Sequence, residues 1–165
     1  MKVLVAYFSQ TGNTKKVAEA IYGEIKMDKE IKKLQDVESL EGYGFSFIGF
    51  PLQAFGPAKD AKDFLKAKTA GKKVALFVTH AAPEGTPQLT EWLATCGKAA
   101  SGAEIAGIFD CQGELSQAVA DMLLKSDDPD MQSFGKMGPT TKGQPDATRI
   151  EKAKAFAREI SAKLK

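Results

Sequence analysis

The stretch Lys2-Val3-Leu4-Val5-Ala6-Tyr7-Phe8-Ser9-Gln10-Thr11-Gly12-Asn13-Thr14 decides how the rest of the chain is read. Lys2 to Tyr7 is a compact apolar run rich in β-formers. A run of that kind predicts a strand buried on both faces, as in the interior of a parallel sheet. Ser9 to Thr14 is a polar turn containing Gly12. Beyond it Val17, Ala18, Ile21 and Ile25 recur at helical spacing, with Lys15, Lys16, Glu19 and Glu24 between them. Strand, polar loop and amphipathic helix make the first half of a βαβ unit.

The same alternation continues down the chain. Ile31 to Leu34 reads as a short edge strand and Tyr43 to Phe50 as a central one. Pro51 to Gly56 is a loop, with Pro57 at a first helical position and Ala58, Ala61, Phe64 and Leu65 giving a helix its buried face. Lys73 to Thr79 is the next strand, followed by the loop His80 to Gly85. Thr86-Pro87 reads as an N-cap with proline behind it. Leu89, Leu93 and Cys96 then form one helix face, with Trp92 inside the helix as a core residue. Glu104 to Cys111 is a fifth strand and Leu115 to Lys125 a short helix. Ser126 to Pro145, rich in Gly, Pro and Asp, reads as a long surface excursion. Asp146 caps a last helix with the stripe Ile150, Ala153, Ala157, Ile160 and Leu164.

The expectation is therefore an α/β fold: one domain over residues 1–165, a doubly wound five-stranded parallel sheet with helices on both faces. The first strand and the third are both strongly apolar, which agrees with strand order 2-1-3-4-5. Ligands of such sheets bind beyond the C-terminal strand ends, near the switch point.

Ser9 to Thr14 lies at such an end. Three hydroxyls, two carboxamides and a run of backbone N–H groups converge where a helix begins, and a helix N-terminus carries about half a positive charge. That is a phosphate site without a lysine. Gly12 lets the backbone close on the anion. The alternative is that these residues merely cap the helix. A dinucleotide glycine fingerprint is absent, since Gly42 and Gly44 follow the wrong element, and no GK[ST] of a P-loop occurs. The first strand ends Ala6-Tyr7-Phe8, without the acidic residues a receiver domain needs.

The segment Val3 to Thr14 resembles the phosphate loop of the flavodoxin family, whose hallmark is T/S-x-T-G-N-T after a first strand. Gly49-Phe50-Pro51 is similar to the start of that family's second cofactor loop. Phe109-Asp110-Cys111-Gln112-Gly113 resembles a branch with a CQG turn after the fifth strand. The resemblance implies one bound FMN and three loops around it. Ser9, Gln10, Thr11, Gly12, Asn13 and Thr14 would hold the phosphate. Pro51, Leu52, Gln53, Ala54, Phe55 and Gly56 would flank the isoalloxazine ring, joined by Thr79, His80, Ala81 and Gly85. Phe50, Leu52 and Phe55 are candidates to cover one ring face. A backbone carbonyl at Gly56 or the Gln53–Ala54 peptide would turn towards flavin N5 on reduction. His80 and Glu84 stand either at the ring edge or in solvent. The chain departs from the family in being slightly basic, and in lacking a tryptophan or tyrosine at the loop positions that usually stack on the ring.

Charge and composition bound the function further. The 165 residues carry a net charge of +2 with acids and lysines mixed, so no nucleic-acid footprint is present. No apolar run approaches the roughly 20 residues of a membrane helix. Cys96 and Cys111 form no CxxC pair and there is one histidine, which supports no metal site and two reduced thiols. A cytoplasmic protein, monomeric or weakly dimeric, is expected. With no acid–base pair or nucleophile in view, the resemblance implies an electron carrier between redox protein partners. The alternative is an FMN-dependent NAD(P)H or quinone-type oxidoreductase.

Overall fold

The computed structural model describes residues 1–164. Its strands are β1 (Lys2–Tyr7), β2 (Asp28–Lys33), β3 (Phe45–Gln53), β4 (Gly56–Pro57), β5 (Lys73–His80) and β6 (Glu104–Gln112). Its helices are α1 (Asn13–Glu24), α2 (Lys59–Lys68), α3 (Leu89–Ala99), α4 (Gln117–Leu124), α5 (Pro129–Lys136) and α6 (Ala147–Lys163). The long strands form a parallel sheet in the order β2-β1-β3-β5-β6. This is the doubly wound order expected, 2-1-3-4-5 when the long strands are counted in sequence.

The strand count differs from the five expected, because β4 makes a sixth. β3 does not stop at Phe50. It runs on to Gln53 and turns at Ala54-Phe55, and β4 returns antiparallel with Leu52 opposite Pro57 and Gln53 opposite Gly56. The expected loop 51–56 is thus mostly hairpin. Pro57 sits in a two-residue edge strand, where its missing N–H costs nothing, and α2 starts two residues later at Lys59. Likewise Thr86-Pro87 lie in a turn ahead of α3, which opens at Leu89; the Thr86 hydroxyl donates to the Pro83 carbonyl instead of capping the helix. β2 begins at Asp28, earlier than its apolar residues suggest. It is a sheet edge, where charged side chains such as Lys29, Glu30 and Lys32 guard against further pairing.

Period-two alternation on the central strands feeds two cores. Leu4 and Ala6, Ile48 and Phe50, and Leu76 and Val78 face α2 and α3 through Ala61, Phe64, Leu65 and Cys96. Val3 and Val5, Phe45 and Phe47, and Ala75 and Phe77 face α1 and α6 through Val17, Ile21, Ala153, Ala157 and Ile160. Each fully buried phenylalanine contributes about 1.5–3 kcal/mol. Gly49 is required here: a Cβ on it would stand 1.8 Å from the Phe77 ring. Asp146 caps α6 as expected, its Oδ1 accepting from Arg149 N at 3.0 Å.

Residues 126–145, expected as a surface excursion, contain regular structure. They hold α5, capped by Asp128 with Pro129 in the first turn, and a 3₁₀ turn over Gly138–Thr141. α5 lies close against α4, because a Cβ on Gly135 would stand 2.9 Å from the Ala120 carbonyl oxygen. This helical pair sits beyond the C-terminal end of β6 and walls one side of the site.

Candidate functional site

The loop between β1 and α1 forms a cup. Gly12 takes φ +98°, a left-handed conformation that suits glycine, and as the N-cap residue of α1 it has no side chain to cap the helix. Ser9 Oγ accepts from Gly12 N at 3.1 Å and from Lys15 N at 3.3 Å. Both acceptor positions of that oxygen are used, so its own proton is left to donate. The backbone N–H groups of Gln10, Thr11, Asn13 and Thr14 find no acceptor among the described residues. Such donors at a helix start are an anion site. Thr14 Oγ1 and Thr79 Oγ1 are 2.8 Å apart and almost fully buried. One hydroxyl donates to the other, which leaves one proton free. This bond pins the start of α1 to the end of β5.

The far wall of the cup is the turn after β6. Asn13 Nδ2 donates to the Glu114 carbonyl at 2.8 Å. Gly113 makes room for it, since a Cβ there would stand 2.6 Å from Asn13 Nδ2. Gln112 Nε2 donates to Ala81 O at 2.9 Å and Gly113 N to His80 O at 2.8 Å, so the CQG turn clasps the third loop. Cys111 is buried, and burial pushes both its thiol and that of Cys96 up to about 12. Both are thiols at neutral pH. The Glu114 carboxylate, though near the cup, accepts from Gly143 N at 3.1 Å.

His80 and Glu84 also take structural places. His80 is buried; its Nδ1 lies 2.9 Å from Ala82 O and its Nε2 2.8 Å from Asp110 Oδ2. Both ring nitrogens are engaged, which fixes the loop to β6 and leaves neither for a ligand. Glu84 is gripped by Arg149 through two bonds of 2.8 and 3.1 Å, with Lys152 at 3.5 Å. Arg149 holds its carboxyl below the usual range.

The cup opens into an apolar cleft of about 560 Å³ at the C-terminal strand ends. Gln10, Leu52, Gln53, His80, Ala81, Leu115 and Val119 line both spaces, making them one continuous site. Gln53 Nε2 donates to Gln10 Oε1 at 2.5 Å across the junction. Phe55 stacks on Trp92 with centroids 5.0 Å apart, and Phe134 lies 6.1 Å from Phe55. Met122 and Met131 face them from α4 and α5. Ala54 and Phe55 both have positive φ, +50° and +64°, as the mirror-image turn of a two-residue hairpin requires. Neither is glycine, so the turn carries about 1–2 kcal/mol of strain per residue. The result is a phenyl ring 42 % exposed at the mouth of the cleft.

Most of the expected site residues converge. Ser9, Gln10, Thr11, Asn13, Thr14, Pro51, Leu52, Gln53, Thr79, His80 and Ala81 line the cup, and Ala54 and Phe55 line the cleft. Gly12 shapes the loop without lining it. Gly56 faces a separate groove, and Gly85 lines neither space. Phe50 is core, 0 % exposed. The aromatic wall of Trp92 and Phe134, and Leu115, Val119, Met122 and Met131, were missed. Trp92 is half-buried on the cleft instead of inside the core. An apolar spacing in Leu115, Val119, Met122 and Leu123 was a readable signal, but nothing local said which way it faced.

A doubly wound sheet with an anion cup at the switch between β1 and β3 defines a class of phosphate-binding α/β proteins. Comparison with known proteins narrows it. A family model described as a flavodoxin domain matches residues 4–158. The flavodoxin-like domain-containing protein BilS of Clostridioides difficile is 31 % identical over an alignment of 176 residues, spanning 99 % of this chain and 98 % of that protein. The chain belongs to the flavodoxin domain family. Two solved structures share the fold. Oxidised flavodoxin 2 from Bacillus cereus aligns over 99 % of both chains, with 22 % identity and a TM-score of 0.63. A Lactobacillus acidophilus flavoprotein, crystallised in complex with FMN, has 24 % identity and a TM-score of 0.54, over 73 % of this chain and 97 % of that one. No helix among the described residues is long and apolar enough to cross a membrane.

Proposed function

We propose that this protein binds one FMN and carries electrons between redox partner proteins. The observation that carries the reading is the continuity of a cup of neutral donors with an apolar, aromatic-walled cleft. A phosphomonoester joined to a flat apolar ring system matches that pair of environments. Bound FMN would supply the redox chemistry. The chain would do the rest. The amides of Gln10, Thr11, Asn13 and Thr14, with the hydroxyls of Ser9 and Thr11, would hold the phosphate oxygens by charge-assisted bonds. Leu52, Phe55 and Trp92 would exclude water from the ring. His80 would hold the third loop in place beside the ring through Ala82 and Asp110. The family membership and the FMN complex of the Lactobacillus relative are consistent with this reading.

Titration of flavin-free protein with FMN and with riboflavin tests it. FMN is expected to bind at least about 100-fold tighter, from two or more charge-assisted bonds of about 1.5–3 kcal/mol each. Photoreduction of the loaded protein should proceed in two resolved one-electron steps. Indifference to FMN overturns the reading. Rapid bleaching by NADPH alone replaces the carrier with an NAD(P)H-dependent oxidoreductase.

A further inference from the structure

A second groove runs between α2 and α3, about 590 Å³ in volume, and it is basic. Lys59, Lys62 and Lys66 repeat at i, i+3 and i+7 along one face of α2, opposite Lys98 on α3, and no carboxylate lines the space. Asp63 stands beside the stripe and pairs with Lys59 at 2.8 Å. Lys62, Lys66 and Lys98 form no ion pair among the described residues. Even with Asp63 counted against them, the four lysines carry more positive charge than the chain's whole net +2, so the groove is a local concentration of positive charge. The groove ends on the hairpin 53–56, whose residues 53–55 also line the apolar cleft.

We propose that this lysine groove is the docking surface for a carboxylate-rich face of a redox partner protein, which it seats against the Phe55 hairpin. The redox character of the partner rests on the FMN-carrier reading; the acidic face does not. Charge complementarity names the occupant. Exposed lysines on two helix flanks steer and hold an extended acidic surface. A compact nucleotide phosphate is held by donors that converge on one point, whereas these lysines are strung along two helices and match carboxylates spread over a protein face. Docking there would bring the partner beside the exposed edge of the cleft.

The probe is an acidic plant-type [2Fe–2S] ferredoxin. Titrated into ¹⁵N-labelled protein at low salt, it should shift amides within 53–66 and 92–99. About 0.5 M salt should abolish the shifts, since screening then acts within a few ångströms. The variant K62E/K66E/K98E should lose them too, while its thermal midpoint and flavin affinity stay unchanged. Should that variant fail to fold, K62Q/K66Q/K98Q is expected to weaken binding in the same sense. With FMN bound, electron transfer from reduced ferredoxin at low salt should fall at least about tenfold in the charge-reversed protein. Repeating the amide titration without flavin separates failure of the docking surface from failure of FMN binding. Shifts mapping elsewhere, or insensitive to the lysine changes, overturn the proposal. So do shifts of these amides by NADPH and not by ferredoxin, which would make the groove a nucleotide site.

Discussion

The cup at residues 9–14 and the cleft walled by Phe55, Trp92 and Phe134 adjoin, yet they are made in opposite ways. The cup is one short run of chain. Its donors are mostly backbone amides, and its one left-handed residue is Gly12, so the conformation costs little. The cleft is gathered from the β3–β4 turn, α3, α4 and α5. Its surface is side chain, and its left-handed residues are Ala54 and Phe55, which bear strain to project a ring. Recognition by backbone tolerates many side-chain changes but no change of path. Recognition by packed side chains is the reverse, and it depends on elements that can shift against one another.

The comparison breaks most visibly if the two halves cannot be separated by ligand. Thr11→Ala with Thr14→Ala removes two hydroxyls from the cup. FMN affinity is expected to drop about 10- to 100-fold, chiefly through the lost Thr11 bond, because the backbone amides remain, with riboflavin affinity unmoved; equal losses for both ligands would show the cup and cleft to be one unit. The Thr14 change also strands the buried Thr79 hydroxyl, so the double variant should lose about 1–3 kcal/mol of stability. Trp92→Ala is the counterpart in the cleft. Loss of its stack on Phe55 is worth about 0.5–1.5 kcal/mol, so FMN and riboflavin should both weaken by roughly three- to tenfold.

Ala54→Gly asks whether the strain is real. Relief of the left-handed alanine, less the flexibility of glycine, should stabilise the protein by about 0.5–1 kcal/mol. For a chain of this size that is a rise of about 1–4 °C in Tm. A fall in Tm would place the strain elsewhere. The smallest effect is on pH. Arg149 lowers the folded carboxyl range of Glu84, so its contribution is present above the ordinary glutamate value of about 4.3 and disappears as pH falls through the lower folded one. Amide protection in residues 81–88 should therefore hold from pH 7 to 5 and drop in stronger acid. Glu84→Gln should remove that acid-dependent loss.

How legible each part was follows from the same contrast. β1, the cup and α1 could be read because hydrophobic period, polar turn and helix period are consecutive, and each acts within a few residues. Asp146 was readable as a cap for the same reason. The β4 hairpin was not, because two residues carry no period; only their register against Leu52 and Gln53 makes them a strand. α5 was hidden by its Gly, Pro and Asp content. Gly135 suggests a loop, yet it serves close contact with α4. Trp92 lies on an amphipathic helix whose orientation no local pattern reveals.

By itself the sequence determined a two-sided parallel sheet, the winding that buries it and a polar, amide-lined cup at the end of its first strand. Those depend on periodicity and backbone conformation, which neighbouring residues settle among themselves. The tertiary structure alone decided the aromatic cleft, the engagement of His80 by Asp110 and Ala82, and the need for glycine at 49 and 113. Each of these is a meeting of side chains or loops far apart in the chain, and burial and steric fit act only on groups that folding has already brought together.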